Sequence, residues 1–132
     1  QDLISAIPNW RLWALCDRAP MSGARQQAQG RVALLGDAAH PMRPYMAQGA
    51  GMAVEDAACL QQVLGQPDLA MDKRLERYAK LRWRRNARVQ ERSIRNGQIF
   101  HAKGLVRWGR DLSLSVLGRH LLDVPWLYRG PR

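Results

Sequence analysis

The sequence predicts a mainly helical chain that carries one or two short strands. Residues 69–103 contain no proline and a single glycine, which favours one long helix. Small and apolar residues dominate over residues 49–64, which favours a second helix that packs closely on its neighbours. Strand-like patterns are confined to residues 10–17 and 31–35. With 132 residues, 46% of them apolar, the chain is long enough to bury a core.

The two predicted strands lie in the first 35 residues of the chain. Residues 3–7 are typical of the end of a helix, which Pro8 stops. Residues 10–17, WRLWALCD, alternate imperfectly between apolar and polar side chains and predict a half-buried strand. Residues 31–35, RVALL, follow one glycine and precede another, and they predict a strand buried on both faces.

A loop is expected to join the second strand to the first long helix. Residues 36–48 include Pro41 and Pro44 and show no periodic pattern. The helix over residues 49–64 is expected to end at Gly65, since glycine favours the end of a helix.

The long helix over residues 69–103 carries most of the positive charge and is expected to bend near Gly97. Between residues 73 and 95, ten basic residues stand against two glutamates, and the chain has a formal net charge of +10. Such a helix contacts phosphates in nucleic-acid-binding proteins, or forms a solvated face, or pairs with acidic residues elsewhere. No nucleic-acid-binding motif surrounds it, so we favour the last two interpretations. A shorter helix is predicted over residues 105–117.

Cysteine use and hydropathy indicate the compartment. Cys16 and Cys59 form no metal-ligand pattern and predict buried thiols in a reducing environment. No apolar run approaches the ~18 residues that span a bilayer, and the first residues lack a signal-peptide pattern. We therefore expect a soluble, cytoplasmic protein without a membrane partner.

Residues suited to ligand binding concentrate where strand, loop and helix meet. Gly36 lets a ligand approach the backbone, and the Asp37 carboxylate can accept hydrogen bonds from sugar or ribityl hydroxyls. A helix that opens on Gly49, Ala50 and Gly51 offers unpaired N–H groups and the positive end of its dipole. Such a helix start suits a phosphate or a delocalised anion. The residues themselves therefore predict a site for a polyol joined to an anion.

Residues 30–57 read GRVALLGDAAHPMRPYMAQGAGMAVEDA. This stretch resembles the second FAD-binding motif of flavin-dependent aromatic hydroxylases of the salicylate hydroxylase and 3-hydroxybenzoate 6-hydroxylase type. In that family a strand is followed by G-D-A-A-H-P, a proline-containing loop, Q-G and E-D-A. The resemblance extends upstream through residues 17–20, DRAP, and downstream through a Y-x-x-x-R-x-x-R pattern at Tyr78, Arg82 and Arg85.

The resemblance also implies which part of such an enzyme is present. The family has an α/β FAD-binding monooxygenase fold whose amino-terminal βαβ unit carries G-x-G-x-x-G, and this sequence contains no such string. We therefore expect a carboxyl-terminal segment that is inactive alone. Residues 1–30 would end the substrate-domain region and include a strand. Residues 31–66 would hold a strand, the FAD-binding loop and a helix, and residues 67–132 the long basic helix and a helical tail.

Seven residues are implied as cofactor-binding by the resemblance: Gly36, Asp37, Pro44, Gln48, Gly49, Ala50 and Gly51. The first two would meet the ribityl and pyrophosphate region of FAD, and the proline would shape the loop beside the isoalloxazine ring. The last four would lie at the pyrimidine edge, where backbone donors stabilise the negative charge of reduced flavin. Gln48 is also the one candidate for contact with the substrate, and no other residue is assigned a catalytic role.

The implied cofactor is FAD, with NADH or NADPH as reductant, and the implied substrate is a small phenol that is hydroxylated with O2. The implied partners are the missing amino-terminal FAD-binding portion and, as an open alternative, a second copy of the chain. Two other functions remain open from the residues. One is a basic helical nucleic-acid-binding module, and the other is a protein-interaction module in which Trp108, Trp126 and Tyr128 cover an apolar interface.

Other titratable residues in the motif are expected to have structural roles. Asp37 and His40 are too few to hold a metal ion, so no metal site is predicted, and His40 is expected to structure the loop through a hydrogen bond. Glu55 and Asp56 are adjacent on a helix and face different directions, so we expect one of them to pair with an arginine. Cys59 is expected in the core.

Overall fold

A computed structural model describes residues 2–118 and 124–128 of the chain. The helices are α1 (Asp2–Ser5), α2 (Gly49–Leu64), α3 (Met71–Phe100), α4 (Gly104–Leu117) and α5 (Pro125–Tyr128). Two short strands, β1 (Ala28–Gln29) and β2 (Val32–Ala33), pair as an antiparallel hairpin, and 3-10 turns occupy Ala24–Gln26 and Gly36–Ala38. The mainly helical fold with short strands is therefore confirmed.

The core lies between α2 and α3. Helix α2 begins at Gly49 and ends before Gly65, as its sequence predicts. Its Met52 side chain packs with Val89 of α3 and Leu127 of α5, and all three are buried. Helix α5 therefore packs against both α2 and α3.

Helix α3 continues for 30 residues through Gly97 without a break. A Cβ built on Gly97 would lie 2.5 Å from Cε2 of Tyr45, so the glycine allows the tyrosine ring to rest against the helix backbone. The expected bend at this glycine stays a prediction.

The strand predicted over residues 10–17 is wrong. These residues have no regular secondary structure, and Trp10, Leu12 and Trp13 are 65%, 102% and 76% exposed. A strand needs a neighbour for its backbone hydrogen bonds. Within the described ranges, the only ladder is the β1–β2 hairpin, so this segment has none.

The second predicted strand is confirmed only in part. Of residues 31–35, Val32 and Ala33 pair with β1, whereas the expected burial on both faces is wrong, since Val32 is 66% exposed. A parallel strand inside a large sheet is covered on both faces, and a two-residue hairpin at the surface is not.

The thiol predictions also need correction. Cys16 is exposed and Cys59 is half-buried, so neither belongs to the buried core. Cys16 lies in the unpaired segment over residues 10–17, and its exposure follows from the missing strand partner. In the described part of the chain, no helix combines the length and apolar character that crossing a membrane requires.

Candidate functional site

The turn after β2 is built around a glycine that no other residue could replace without strain. Gly36 is buried and has φ of +56°, in the left-handed region that favours glycine. A Cβ on it would lie 3.3 Å from Cβ of Ala53 in α2. The turn therefore packs directly on α2 and leaves the next residue, Asp37, exposed at the surface.

A buried carboxylate on α2 fixes this turn. The Asp56 carboxylate accepts hydrogen bonds from Gly36 N, His40 Nε2, Arg82 Nε and Asn86 Nδ2, at 3.1, 2.6, 2.8 and 3.0 Å. Burial alone would raise the pKa of Asp56, but the hydrogen bonds from His40, Asn86, Arg82 and Gly36 outweigh it and lower the pKa to about 2. Asp56 is thus a charged acceptor that joins the turn, the loop and α3. The predicted hydrogen-bonding role of His40 is confirmed.

Glu55 and two arginines tie α2, α3 and α5 together. The Glu55 carboxylate pairs with Arg82 at 2.7 Å and with Arg85 at 2.6 Å. Burial raises the pKa of Glu55, and the hydrogen bonds from Arg85 and Arg82 overcome this effect, so the pKa falls below its usual value. Arg85 also donates to the carbonyl oxygens of Trp126 and Leu127.

The pairing expected for Glu55 or Asp56 is confirmed for both residues. These pairs also reduce the number of arginines that the surface of α3 presents to solvent. Arg82 is only 1% exposed, and Arg85 is held by Glu55. Arg82 and Arg85 are therefore engaged in internal contacts and are not available for phosphate contacts with a nucleic acid.

The exposed Asp37 lies beside the amino terminus of α2. A Cβ built on Gly49 would lie 3.8 Å from Oδ1 of Asp37, so the carboxylate and the helix start share one surface. The first backbone bond of the helix runs from Met52 N to Gln48 O, at 2.9 Å. The N–H groups of Gly49, Ala50 and Gly51 precede that bond, and the side chain of the N-cap residue Gln48 makes no capping hydrogen bond. The site therefore presents an anion beside free backbone donors.

Two further predicted residues lie in the loop before α2. The Gln48 side chain folds over the first turn of the helix, where its Oε1 would lie 3.3 Å from a Cβ on Gly51. Pro44 is exposed on the same loop. The structure thus places Asp37 beside Gly49 and Gln48 beside Gly51.

A row of α3 residues contacts the motif, and the sequence indicated it only through Tyr78 and Arg82 of the Y-x-x-x-R-x-x-R pattern. We call it the α3 polar stripe: Tyr78, Arg82, Asn86, Gln90, Ser93 and Gly97. Spacings of three and four residues place all six on one helix face, and each is buried. The sequence contains this periodicity, but the surrounding arginines dominate the segment and obscure it.

The stripe holds backbone carbonyls of the motif as well as Asp56. Tyr78 Oη donates to the carbonyl oxygen of Leu34, at 3.0 Å, and accepts from Gln27 Nε2, at 2.9 Å. Burial raises the pKa of Tyr78, so the phenol stays protonated and able to donate. In the described residues, no three His, Cys, Asp or Glu side chains form a metal-ligand group.

Known proteins resemble the chain along most of its length. It is 50% identical over 103 residues to 3-hydroxybenzoate 6-hydroxylase 1 of Aquipseudomonas alcaligenes, which covers 77% of this chain and 25% of that protein. It is 41% identical over 130 residues to 3-hydroxybenzoate 6-hydroxylase of Polaromonas naphthalenivorans, covering 97% of this chain and 32% of that protein. The chain thus spans about a quarter to a third of the length of these relatives.

The fold is also similar to a solved structure described as a salicylate hydroxylase substrate complex. The TM-score is 0.67 at 32% identity, over 89% of this chain and 28% of that one. A family profile described as FAD binding domain matches residues 18–93, more than half of the chain, and these residues include the Asp37 turn and the start of α2. The chain therefore belongs to the FAD binding domain family.

Proposed function

We propose that this chain is the carboxyl-terminal part of an FAD-dependent monooxygenase that hydroxylates a small phenolic substrate with NADH or NADPH and O2. One observation carries the proposal. The Asp37 carboxylate stands beside the uncapped amino terminus of α2, within the residues that match the FAD binding domain family. A nucleic-acid-binding function of the basic helix α3 would not require this arrangement of Asp37 and α2.

The residues of this surface fit FAD chemically. The Asp37 carboxylate accepts hydrogen bonds from hydroxyls such as those of the ribityl chain. The free N–H groups of Gly49, Ala50 and Gly51, with the positive end of the α2 dipole, favour negative charge on a flavin edge. Bound FAD supplies the redox chemistry, and these residues orient it and stabilise its charge. Gln48 lies over the same helix turn, within reach of a substrate held there.

The relatives indicate the substrate class. Their names and that of the structural neighbour specify 3-hydroxybenzoate and salicylate, both aromatic acids that carry a phenolic hydroxyl. We assign the same class to the enzyme that contains this chain. Residues 1–30 would then adjoin the substrate region, residues 31–66 hold the flavin, and residues 67–132 support them. An amino-terminal portion with the ADP-binding βαβ unit would complete the cofactor site.

The test uses the full-length protein that carries this chain. We expect it to purify with FAD and to oxidise NADH or NADPH faster when 3-hydroxybenzoate or salicylate is added. Product analysis should show one added hydroxyl on the ring. A full-length protein that neither retains nor binds FAD would contradict the proposal, and salt-sensitive retention on nucleic acid would favour the rival function.

A further inference from the structure

The loop over residues 39–48, here called the connecting loop, links the Asp37 turn to α2. Pro41 and Pro44 in this loop have no N–H group, which reduces the backbone hydrogen bonds that could hold the loop in shape. One internal bond runs from Tyr45 N to Arg43 O, at 2.9 Å. The loop also contains Ala47 with φ of +52°, a conformation that costs an alanine free energy. Contacts from outside must therefore fix the loop.

Side chains of the loop pair with Asp56, Asp17 and His101 through His40, Arg43 and Tyr45. Its backbone carbonyls are held by the carboxyl-terminal half of the α3 polar stripe. Gln90 Nε2 donates to the carbonyl oxygen of Pro41, at 3.0 Å, and Ser93 Oγ donates to that of Arg43, at 2.8 Å. Both donors are on side chains only 1% exposed. Arg43 O thus accepts from Ser93 and from Tyr45 N at once, so the serine supports the internal turn of the loop.

Gln90 carries a polar atom that the fold does not use. Its Oε1 is buried and has no hydrogen-bond partner among the described residues. A buried unpaired acceptor is destabilising, so a methionine of similar shape would suit the packing at least as well. The amide is therefore best explained by its donor, which reaches Pro41 O.

We propose that Gln90 and Ser93 are positioning residues for the flavin: they hold the connecting loop so that the Asp37 turn and the α2 start keep one relative placement. This inference rests on the proposed function, because it assigns the loop to the FAD site. Neither residue lies in the motif at residues 30–57, and both act through backbone carbonyls without touching the cofactor. Helix α3 then supports the cofactor site at positions eight and eleven residues beyond Arg82, the first arginine of the Y-x-x-x-R-x-x-R pattern.

The test compares Gln90→Met and Ser93→Ala in the full-length protein. Matched controls are Gln98→Met, at an exposed position on the same helix, and Ser113→Ala, whose hydroxyl bonds within α4. Hydrogen exchange at the Tyr45 amide reports the loop without any cofactor. The visible absorption band, the reduction potential and the dissociation constant of bound FAD report the flavin.

We expect the Tyr45 amide to exchange about five- to tenfold faster in both stripe variants, as the loss of one supporting hydrogen bond would produce. FAD should bind several-fold more weakly with a shifted visible band, while the melting temperature of Gln90→Met stays within about 2 °C of the parent. Both controls should match the parent in every readout. A merely structural role would change the melting temperature and leave the flavin spectrum and potential unaltered.

Two results would overturn the assignment. Unchanged exchange at Tyr45 would show that the donors do not hold the loop. Faster exchange with an unaltered FAD spectrum, potential and affinity would show that the loop does not position the flavin. If the unsubstituted full-length protein binds no FAD, the proposed function fails, and with it the positioning role; the exchange data then decide only whether Gln90 and Ser93 hold the loop.

Discussion

Two carboxylates only 19 positions apart in the sequence have opposite environments. Asp56 is completely buried and accepts four hydrogen bonds, so its charge is fully engaged in holding the turn, the loop and α3. Asp37 is exposed beside the amino terminus of α2. The buried Asp56 is therefore expected to stabilise the fold, and the exposed Asp37 is expected to bind a ligand.

Asp37→Ala in the full-length protein should weaken FAD binding. It removes the acceptor proposed for a ribityl or ribose hydroxyl, and hydrogen bonds to charged groups contribute roughly 1 to 3 kcal/mol, or about 5- to 150-fold in affinity. Fluorescence titration with FAD measures the change. The exposed Asp68, which lies beyond the end of α2, provides the matched control Asp68→Ala. Equal FAD affinities for Asp37→Ala and Asp68→Ala would show that Asp37 does not contact the cofactor.

Asp56→Asn should destabilise the chain in a pH-dependent way. The native pKa of Asp56 is about 2, below the usual 3.8, so ionised Asp56 stabilises the fold above pH 4 and loses this effect as the pH falls from about 4 to 2. Removing one partner of a buried ion pair costs roughly 3 kcal/mol. The substitution should therefore lower the free energy of unfolding by about this amount at pH 7.

Urea unfolding of the parent chain and of Asp56→Asn at pH 7, 4 and 2.5 tests this prediction. The difference between the two proteins should shrink by about 2 kcal/mol over the acid range, as linkage requires. Asp68→Ala should stay close to the parent throughout. A difference for Asp56→Asn that is independent of pH would mean that its pKa is not depressed in the fold.

At the scale of elements, the start of α2 is the part of the site that depends most on glycine. A larger side chain at Gly49 would lie between the Asp37 carboxylate and Met42, over the free N–H groups. Gly49→Val in the full-length protein should therefore weaken FAD binding and lower the flavin reduction potential. The fall should be on the order of 30 mV, which corresponds to about 1.4 kcal/mol for a two-electron couple.

Redox titration of the bound flavin measures this potential. Gly109→Val is the matched control, because a Cβ there, on the exposed surface of α4, meets nothing within 4 Å. If Gly49→Val keeps the parent's potential and FAD affinity, the assignment of the helix start to the flavin is incorrect.

Two glycines on neighbouring helices should respond oppositely to alanine. Gly109→Ala should stabilise the chain by about 0.5 to 1 kcal/mol, since alanine has the higher helix propensity and the site is open. Gly97→Ala should destabilise it by roughly 1 kcal/mol, because the new methyl overlaps the Tyr45 ring. The ring would also lose its hydrogen bond to His101. Thermal unfolding of both variants checks the signs, and a stabilised Gly97→Ala would refute the contact.

Helices were easier to predict than strands for a physical reason. Glycine at each end of α2 and the lack of proline in α3 are local signals, and both helices form as expected. A strand depends on a partner that the local sequence does not specify, so residues 10–17 look like a strand and pair with nothing in the described ranges. The same limit explains why residues 31–35 form only a two-residue strand.

The residues of the candidate site that belong to a sequence motif were predictable. Those that only tertiary packing brings near the motif were not. Asp37 and the α2 start follow from residue chemistry and from the family resemblance. Gln90 and Ser93 were missed, because each contacts a carbonyl about 50 positions away that no short spacing reveals. The network around Asp56 was foreseen only as a pairing with arginine.

At the scale of the whole molecule, exposed aromatic and aliphatic side chains should make the isolated chain self-associate. Trp10, Trp13 and Val32 are each at least 65% exposed and lie in segments with few or no strand partners. Such surfaces favour contacts between copies. Light scattering of the 132-residue chain should show a mass that rises with concentration. A strictly monomeric chain at all concentrations would contradict this expectation.

FAD binding by the full-length protein is the most direct test of the central claim, that the Asp37 turn and the α2 start form part of a flavin site. Titration followed by flavin fluorescence should show submicromolar affinity for the full-length protein. The proposed function assigns only part of the contact surface to the 132-residue chain, so its dissociation constant should be about tens of micromolar or weaker. The claim would be contradicted by a full-length protein that fails to bind FAD. It would also be contradicted by a full-length protein that binds FAD no more tightly than the 132-residue chain does.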